Sequence, residues 1–128
     1  MTIKPSDFLH AAKVSTASEL EVDWRNATSR AYYSAYHRAH QSVDLCPENG
    51  HLHMGSHERL ADRFSRHEAR VAKSIAIILQ SMKRYRHSAD YDIGDPFDRS
   101  IATNQVAQAG VIAQKLDAFD ESHRAKSA

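Results

Sequence analysis

Glycine and proline are scarce, at four and three residues in a chain of 128. An all-β sandwich or barrel needs turn residues about every 8–12 positions, so this chain lacks the punctuation for one. A single cysteine, Cys46, cannot close an internal disulfide, and a reducing cytoplasm is the expected compartment. No apolar run approaches the ~18 residues that cross a bilayer. Residues 1–10 show no basic segment followed by an apolar run, so no signal peptide is expected. Neither charge dominates: 17 Lys and Arg stand against 16 Asp and Glu, for a net charge of +1. A basic surface for nucleic acid therefore has to be local. Internal repeats, Gly-rich phosphate loops and Ser/Cys-His-Asp arrangements are also missing. At 41% hydrophobic and 26% charged residues, the composition suits a globular domain rather than a disordered one. The length suits one domain over 1–128, with an ordered core over 5–122 and a tail over 123–128.

What the chain has instead is apolar residues at helical spacing. Pro5 suits a first turn, and Phe8, Ala11, Ala12 and Val14 give a short stripe, so a helix is expected over 5–14. Ser18 and Glu21 have capping-box spacing and open a long second helix. It should run to about 45, where Pro47, Asn49 and Gly50 stop it. Residues 47–55 read as a loop, and a short helix over 56–64 turns Leu60 and Phe64 inward. Ser65 and Glu68 repeat the capping-box spacing. After them Val71, Ile75, Ile78, Met82 and Tyr85 mark an amphipathic helix to about 90. Gly94, Asp95 and Pro96 form a turn. A last helix over 96–122 carries Val106, Ala109, Ala113 and Leu116 inward. Gly110 within it costs ~1 kcal/mol against alanine, which suits close contact with another helix. Five helices and no strand make an all-α bundle.

The second helix has two faces of different chemistry. Trp24, Ala27, Ala31, Ala35 and Ala39 form a core seam of small residues, with Tyr32, Tyr36 and Val43 at its margin. Beside it, Asp23, Asn26, Arg30, Tyr33, His37, His40 and Asp44 follow one another in steps of three and four. At ~100° and ~1.5 Å per residue, Arg30 and His37 lie within about 20° of one face and roughly 10 Å apart along the axis.

The segment Arg30-Ala31-Tyr32-Tyr33-Ser34-Ala35-Tyr36-His37 resembles the R-A-Y-Y-x-A-[FY]-H signature of the HEPN superfamily, small helical proteins of bacteria and archaea. His57 followed by Phe64 is similar to that family's next landmark. Arg86-His87-Ser88-Ala89-Asp90-Tyr91 resembles its R-x-x-A-D-Y ending to the fourth helix, and Ala113 to Phe119 its A-x-x-F closing stretch. The resemblance covers most of the chain. It implies an up-and-down antiparallel bundle of four to five helices that pairs as a two-fold homodimer. It also implies activity: many members are metal-independent endoribonucleases, acting as toxins or antiviral effectors. The alternative is a catalytically inactive module that partners a small nucleotidyltransferase or binds a nucleotide; a nucleotidyltransferase or another antitoxin is the expected protein partner. Ribonuclease members carry an arginine and a histidine four to six residues apart, and Arg30 and His37, with six between, are the only pair here at that spacing. Toxin-like members usually place a polar residue after the arginine; this chain has Ala31.

Cleaving RNA without a metal requires a base for the 2′-hydroxyl and an acid for the leaving oxygen. Histidine serves either role near neutral pH, and an arginine guanidinium stabilises the charge that develops on the phosphoryl oxygens. Helical side chains lean toward the N-terminus, so Arg30 leans away from His37. A cleft shared between two protomers is therefore expected to gather both types. Asn26, Tyr33, His40 and Arg86 are the candidate RNA-binding residues. Asp90 and Tyr91 are the candidate structural partners of Arg30 and His37.

Other features carry less. His51, His53 and His57 are ligand types for zinc, but no cysteine or carboxylate completes a set nearby, and no metal or cofactor is expected. Arg59, Arg63, Arg66, Arg70 and Lys73 would form a basic stripe on one continuous helix. The capping signal at Ser65 and the interleaved Glu58, Asp62 and Glu68 argue for a solvated face instead. Lys83, Arg84, Arg86 and His87 form a second basic cluster. Tyr32 and Tyr36 read as core, and Cys46 has no role.

Overall fold

The structure, a computed structural model, describes residues 2–50 and 53–127, with side chains through residue 124. Among the described residues it is all-helical, with no strand. Helix α1 spans Pro5–Thr16, α2 Glu21–His40, α3 Ser56–Ser65, α4 Arg70–Tyr91 and α5 Arg99–Ser127, with a 3-10 turn over Val43–Leu45. None of these helices is long and apolar enough to cross a membrane.

Helix α2 is the centre: α1, α4 and α5 all pack on it, and α3 packs mainly on α4. The reason is the alanine seam. Ala27, Ala31, Ala35 and Ala39 are all buried, and small side chains let neighbouring helices approach closely. Neighbouring elements bring large groups to this centre, among them Phe64, Ile75, Met82, Ile112, Leu116 and Phe119.

The helix boundaries depart from the capping signals. Ser18 does not cap α2. Its hydroxyl donates to the Asp23 carboxylate and accepts from the Leu20 N–H. Its carbonyl takes the Trp24 indole N–H at 2.8 Å and the Arg99 guanidinium, so the α1–α2 connection is tied as a turn and α2 starts at Glu21. Ser65 ends a helix instead of starting one: its hydroxyl donates back to the Asp62 carbonyl at 2.6 Å. The basic series from Arg59 to Lys73 is thus divided between α3 and α4. At the far end of α2, Ser42 donates to Asp120 at 2.6 Å and accepts from Arg38 at 2.9 Å. That tie to α5 draws the chain off the helix axis before residue 45.

The inner faces are also rotated from the expected stripes. On α4 the buried set is Ala72, Ile75, Ala76, Leu79, Met82 and Ala89, while Tyr85 is 48% exposed. On α5 it is Ala102, Gln105, Ala109, Ile112, Leu116 and Phe119, with Val106 and Ala113 at the margin. Gln105 tolerates burial because its amide donates to the Met82 carbonyl at 2.8 Å and the Thr28 carbonyl at 3.4 Å. On α1, Ala11 and Val14 face solvent and only Ala12 is fully buried. A Cβ added at Gly110 would meet nothing within 4 Å, so no helix closes on it.

One clamp positions the α4 terminus. Arg25 donates to the carbonyls of Ser88 (3.3 Å), Ala89 (3.0 Å), Asp92 (3.2 Å) and Asp95 (2.6 Å), and lies 5.0 Å from the centre of the Phe97 ring. Two of these carbonyls lie in the last turn of the helix, where carbonyls run short of intrahelical donors; that of Ser88 also accepts the Asp92 N–H at 3.0 Å.

Candidate functional site

Arg30 and His37 are both exposed on α2. Between them sits Phe8 of α1, whose ring centre is 6.0 Å from the Arg30 guanidinium and 5.2 Å from the His37 ring. Phe8, Asp7, Ala11, Ile3 and Arg30 line a shallow recess of about 320 Å³. Neither Arg30 nor His37 makes a hydrogen bond or ion pair among the described residues. Other arginines are committed to the fold: Arg25 to the α4 corner, Arg38 to Asp117 and Asp120, Arg63 to the Cys46 and Pro47 carbonyls, and Arg99 to Ser18 and Glu19. The expected structural partners of Arg30 and His37 lie elsewhere. Asp90 pairs with Arg86 at 3.7 Å and accepts from Ser29, and Tyr91 stacks on His87 at 4.8 Å.

Behind this face is an aromatic cluster. Tyr33 is half-buried, 6.3 Å from His37 and edge-on to Tyr32 and His57. His57, at the start of α3, is its hub: Tyr36 lies 4.4 Å away, and the Tyr32 hydroxyl and the His57 Nδ1 share a hydrogen bond of 2.6 Å. Burial, aided by the charges of Arg86, Lys83 and His37, holds the His57 pKa below the ordinary histidine range. Burial also pushes the Tyr32 phenol well above its usual range. Both groups are therefore neutral near pH 7.

Arg86 belongs to this cluster rather than to the outer face. Its side chain is only 12% exposed, and its guanidinium lies 5.6 Å from the Tyr32 ring and 5.9 Å from the Tyr33 ring. Its Nε is buried without a hydrogen-bond partner among the described residues. The remaining candidates stand apart. Asn26 is exposed, one turn before Arg30. His40 lines a different recess, with Tyr36, Met54, Arg59 and Arg63. So Phe8 links Arg30 to His37 on the outer face, ring contacts link His37 to Tyr33 and Tyr33 to Arg86 behind it, and Asn26 and His40 stand apart.

No known protein family, curated protein or solved structure matches this chain. Its chemistry has to be read from its own geometry. Two participants escaped the sequence reading. Phe8 appeared only as one member of an apolar stripe, and His57 only as a landmark and a candidate metal ligand. The pairing of His57 with Tyr32 had one signal, a lone histidine opening a helix within reach of a tyrosine-rich one. Among the described residues no group of three or more His, Cys, Asp or Glu is placed to hold a metal ion. His51, one of the histidines weighed for zinc, lies outside them.

Proposed function

We propose that this chain is a HEPN-type, metal-independent endoribonuclease: an up-and-down antiparallel bundle acting on RNA in the cytoplasm as a toxin or antiviral effector, its active site completed across a homodimer. One observation carries the reading. Arg30 and His37 are exposed on one helix face with no ion pair or hydrogen bond among the described residues, in a protein that commits many of its other arginines to its own carbonyls and carboxylates. Within one protomer the two are roughly 10 Å apart along the axis, with the Phe8 ring between them. That separation exceeds the hydrogen-bond reach needed at a single phosphate, so the second protomer supplies the missing partner.

In the composite cleft, a neutral His37 takes the 2′-hydroxyl proton as the oxygen attacks phosphorus. The P–O2′ bond forms and the P–O5′ bond breaks. The departing O5′ takes a proton from water, and the hydroxide so formed recovers the proton that His37 accepted. Arg30 donates to the non-bridging oxygens, where negative charge grows. Tyr33 stacks a base, Asn26 and His40 line the approach, and Arg86 adds positive potential from behind the tyrosines.

The test is RNA cleavage in the presence of EDTA. Wild type should cut, leaving a 2′,3′-cyclic phosphate and a 5′-hydroxyl. Arg30→Ala and His37→Ala should each lose about 10²–10⁴-fold in rate while remaining folded. A second reading, an inactive module partnering a small nucleotidyltransferase, draws on Ala31. That residue is fully buried, so the position after the arginine offers no polar group to the site. Wild type that cuts no RNA, yet binds such a nucleotidyltransferase with or without Arg30 and His37, would decide for the second reading.

A further inference from the structure

A cleft of about 500 Å³ opens between α3 and α4, and neither Arg30 nor His37 lines it. Its size is within the range of small-molecule sites. The floor is apolar, built from Ala61, Leu79 and the ring of Tyr32. Its inner end is closed by His57, whose Nδ1 is already engaged by the Tyr32 hydroxyl at 2.6 Å. The wall carries Lys83, Arg84 and His87 of α4, His87 being the helical neighbour of both at steps of four and three. None of these three makes a hydrogen bond or ion pair among the described residues. Glu58 is the one carboxylate in the lining, so Lys83 and Arg84 alone leave the lining net positive. The basic cluster of the sequence is thus split: Arg86 turns toward the α2 tyrosines and the other three toward this cleft. The groove between α4 and α5 is larger, about 580 Å³, but no Asp, Glu, Lys or Arg lines it.

We propose that the α3–α4 cleft binds a small aromatic anion, with its ring in the slot over Tyr32, Ala61 and Leu79 and its carboxylate-type group at Lys83 and Arg84. The apolar floor selects a ring-bearing ligand over a bare inorganic ion, because the ring's own apolar surface leaves water there. Cations that have no hydrogen-bond or ion-pair partner among the described residues select an anion over a neutral ring, since a guanidinium fork matches a carboxylate in two hydrogen bonds. The site is independent of RNA cleavage, because it uses no residue placed in that chemistry.

The test is a titration of the intact protein with naphthoate, followed by backbone amide NMR and calorimetry, with naphthylmethanol as the uncharged control. Naphthoate should saturate one site, with shifts centred on His57, Glu58, Ala61, Leu79, Lys83 and Arg84. Naphthylmethanol should bind about tenfold more weakly, a difference of about 1.4 kcal/mol. The surface double variant Lys83→Gln/Arg84→Gln should weaken naphthoate by about the same factor and leave naphthylmethanol unchanged. Shifts scattered outside these residues, no saturation at millimolar naphthoate, or equal affinity for acid and alcohol would each overturn the proposal.

Discussion

At the scale of single residues, the Tyr32–His57 hydrogen bond is where packing and ionisation meet. Tyr32 is 1% exposed, so its hydroxyl needs a partner inside the protein, and His57 Nδ1 supplies it. Tyr32→Phe would leave Nδ1 unpaired and should destabilise the fold by about 1–2 kcal/mol, read from urea denaturation. His57 also makes stability depend on pH. Its folded pKa lies below the ordinary 6.5, so the unfolded chain binds its proton first. The stabilisation is complete above the unfolded value. It declines as pH falls through that value toward the folded one, then levels off. Wild type should therefore lose stability from about pH 7 downward, and His57→Gln should flatten that part of the profile. Identical profiles for the two proteins would refute this assignment.

At the scale of elements, the Arg25 clamp and Gly110 give opposite predictions. Arg25 is the partner of the Ser88 and Ala89 carbonyls at the end of α4, and of the Asp92 and Asp95 carbonyls in the turn beyond. Arg25→Ala should cost about 2–3 kcal/mol and speed amide exchange in the last turn of α4. Arg25→Lys should rescue little, because an ammonium cannot reproduce the planar fork. Gly110 is interior to α5 and an added Cβ has free space, so Gly110→Ala should stabilise by about 0.5–1 kcal/mol, read as a higher melting temperature. The number of helices was legible in the sequence because each carries its own periodic stripe. Their starts were less so. Ser18 and Ser65 have capping spacing, but their hydroxyls are taken by Asp23 and by the Asp62 carbonyl, partners that a spacing rule cannot weigh.

At the scale of the whole molecule, the proposed chemistry depends on a second copy. The protein should sediment as a dimer, and mixing Arg30→Ala with His37→Ala should restore part of the cleavage lost by each alone. Restoration follows only if one cleft draws its arginine and its histidine from different chains. Full activity in a dilute monomer would exclude the shared site.

Helicity, the alanine seam of α2 and the face that Arg30 and His37 share beside it were all legible in the sequence. All three are properties of one helix repeating with its own period. The packing of the helices on one another sets Phe8 between Arg30 and His37 and turns Arg86 inward beneath the tyrosines. It alone decided that Gln105 is core and that Lys83 and Arg84 line a cleft. Those facts depend on how each helix is rotated against its neighbours. That rotation is set by which side chains fit the space left by the alanines of α2, a sum over contacts that no single stretch of sequence contains.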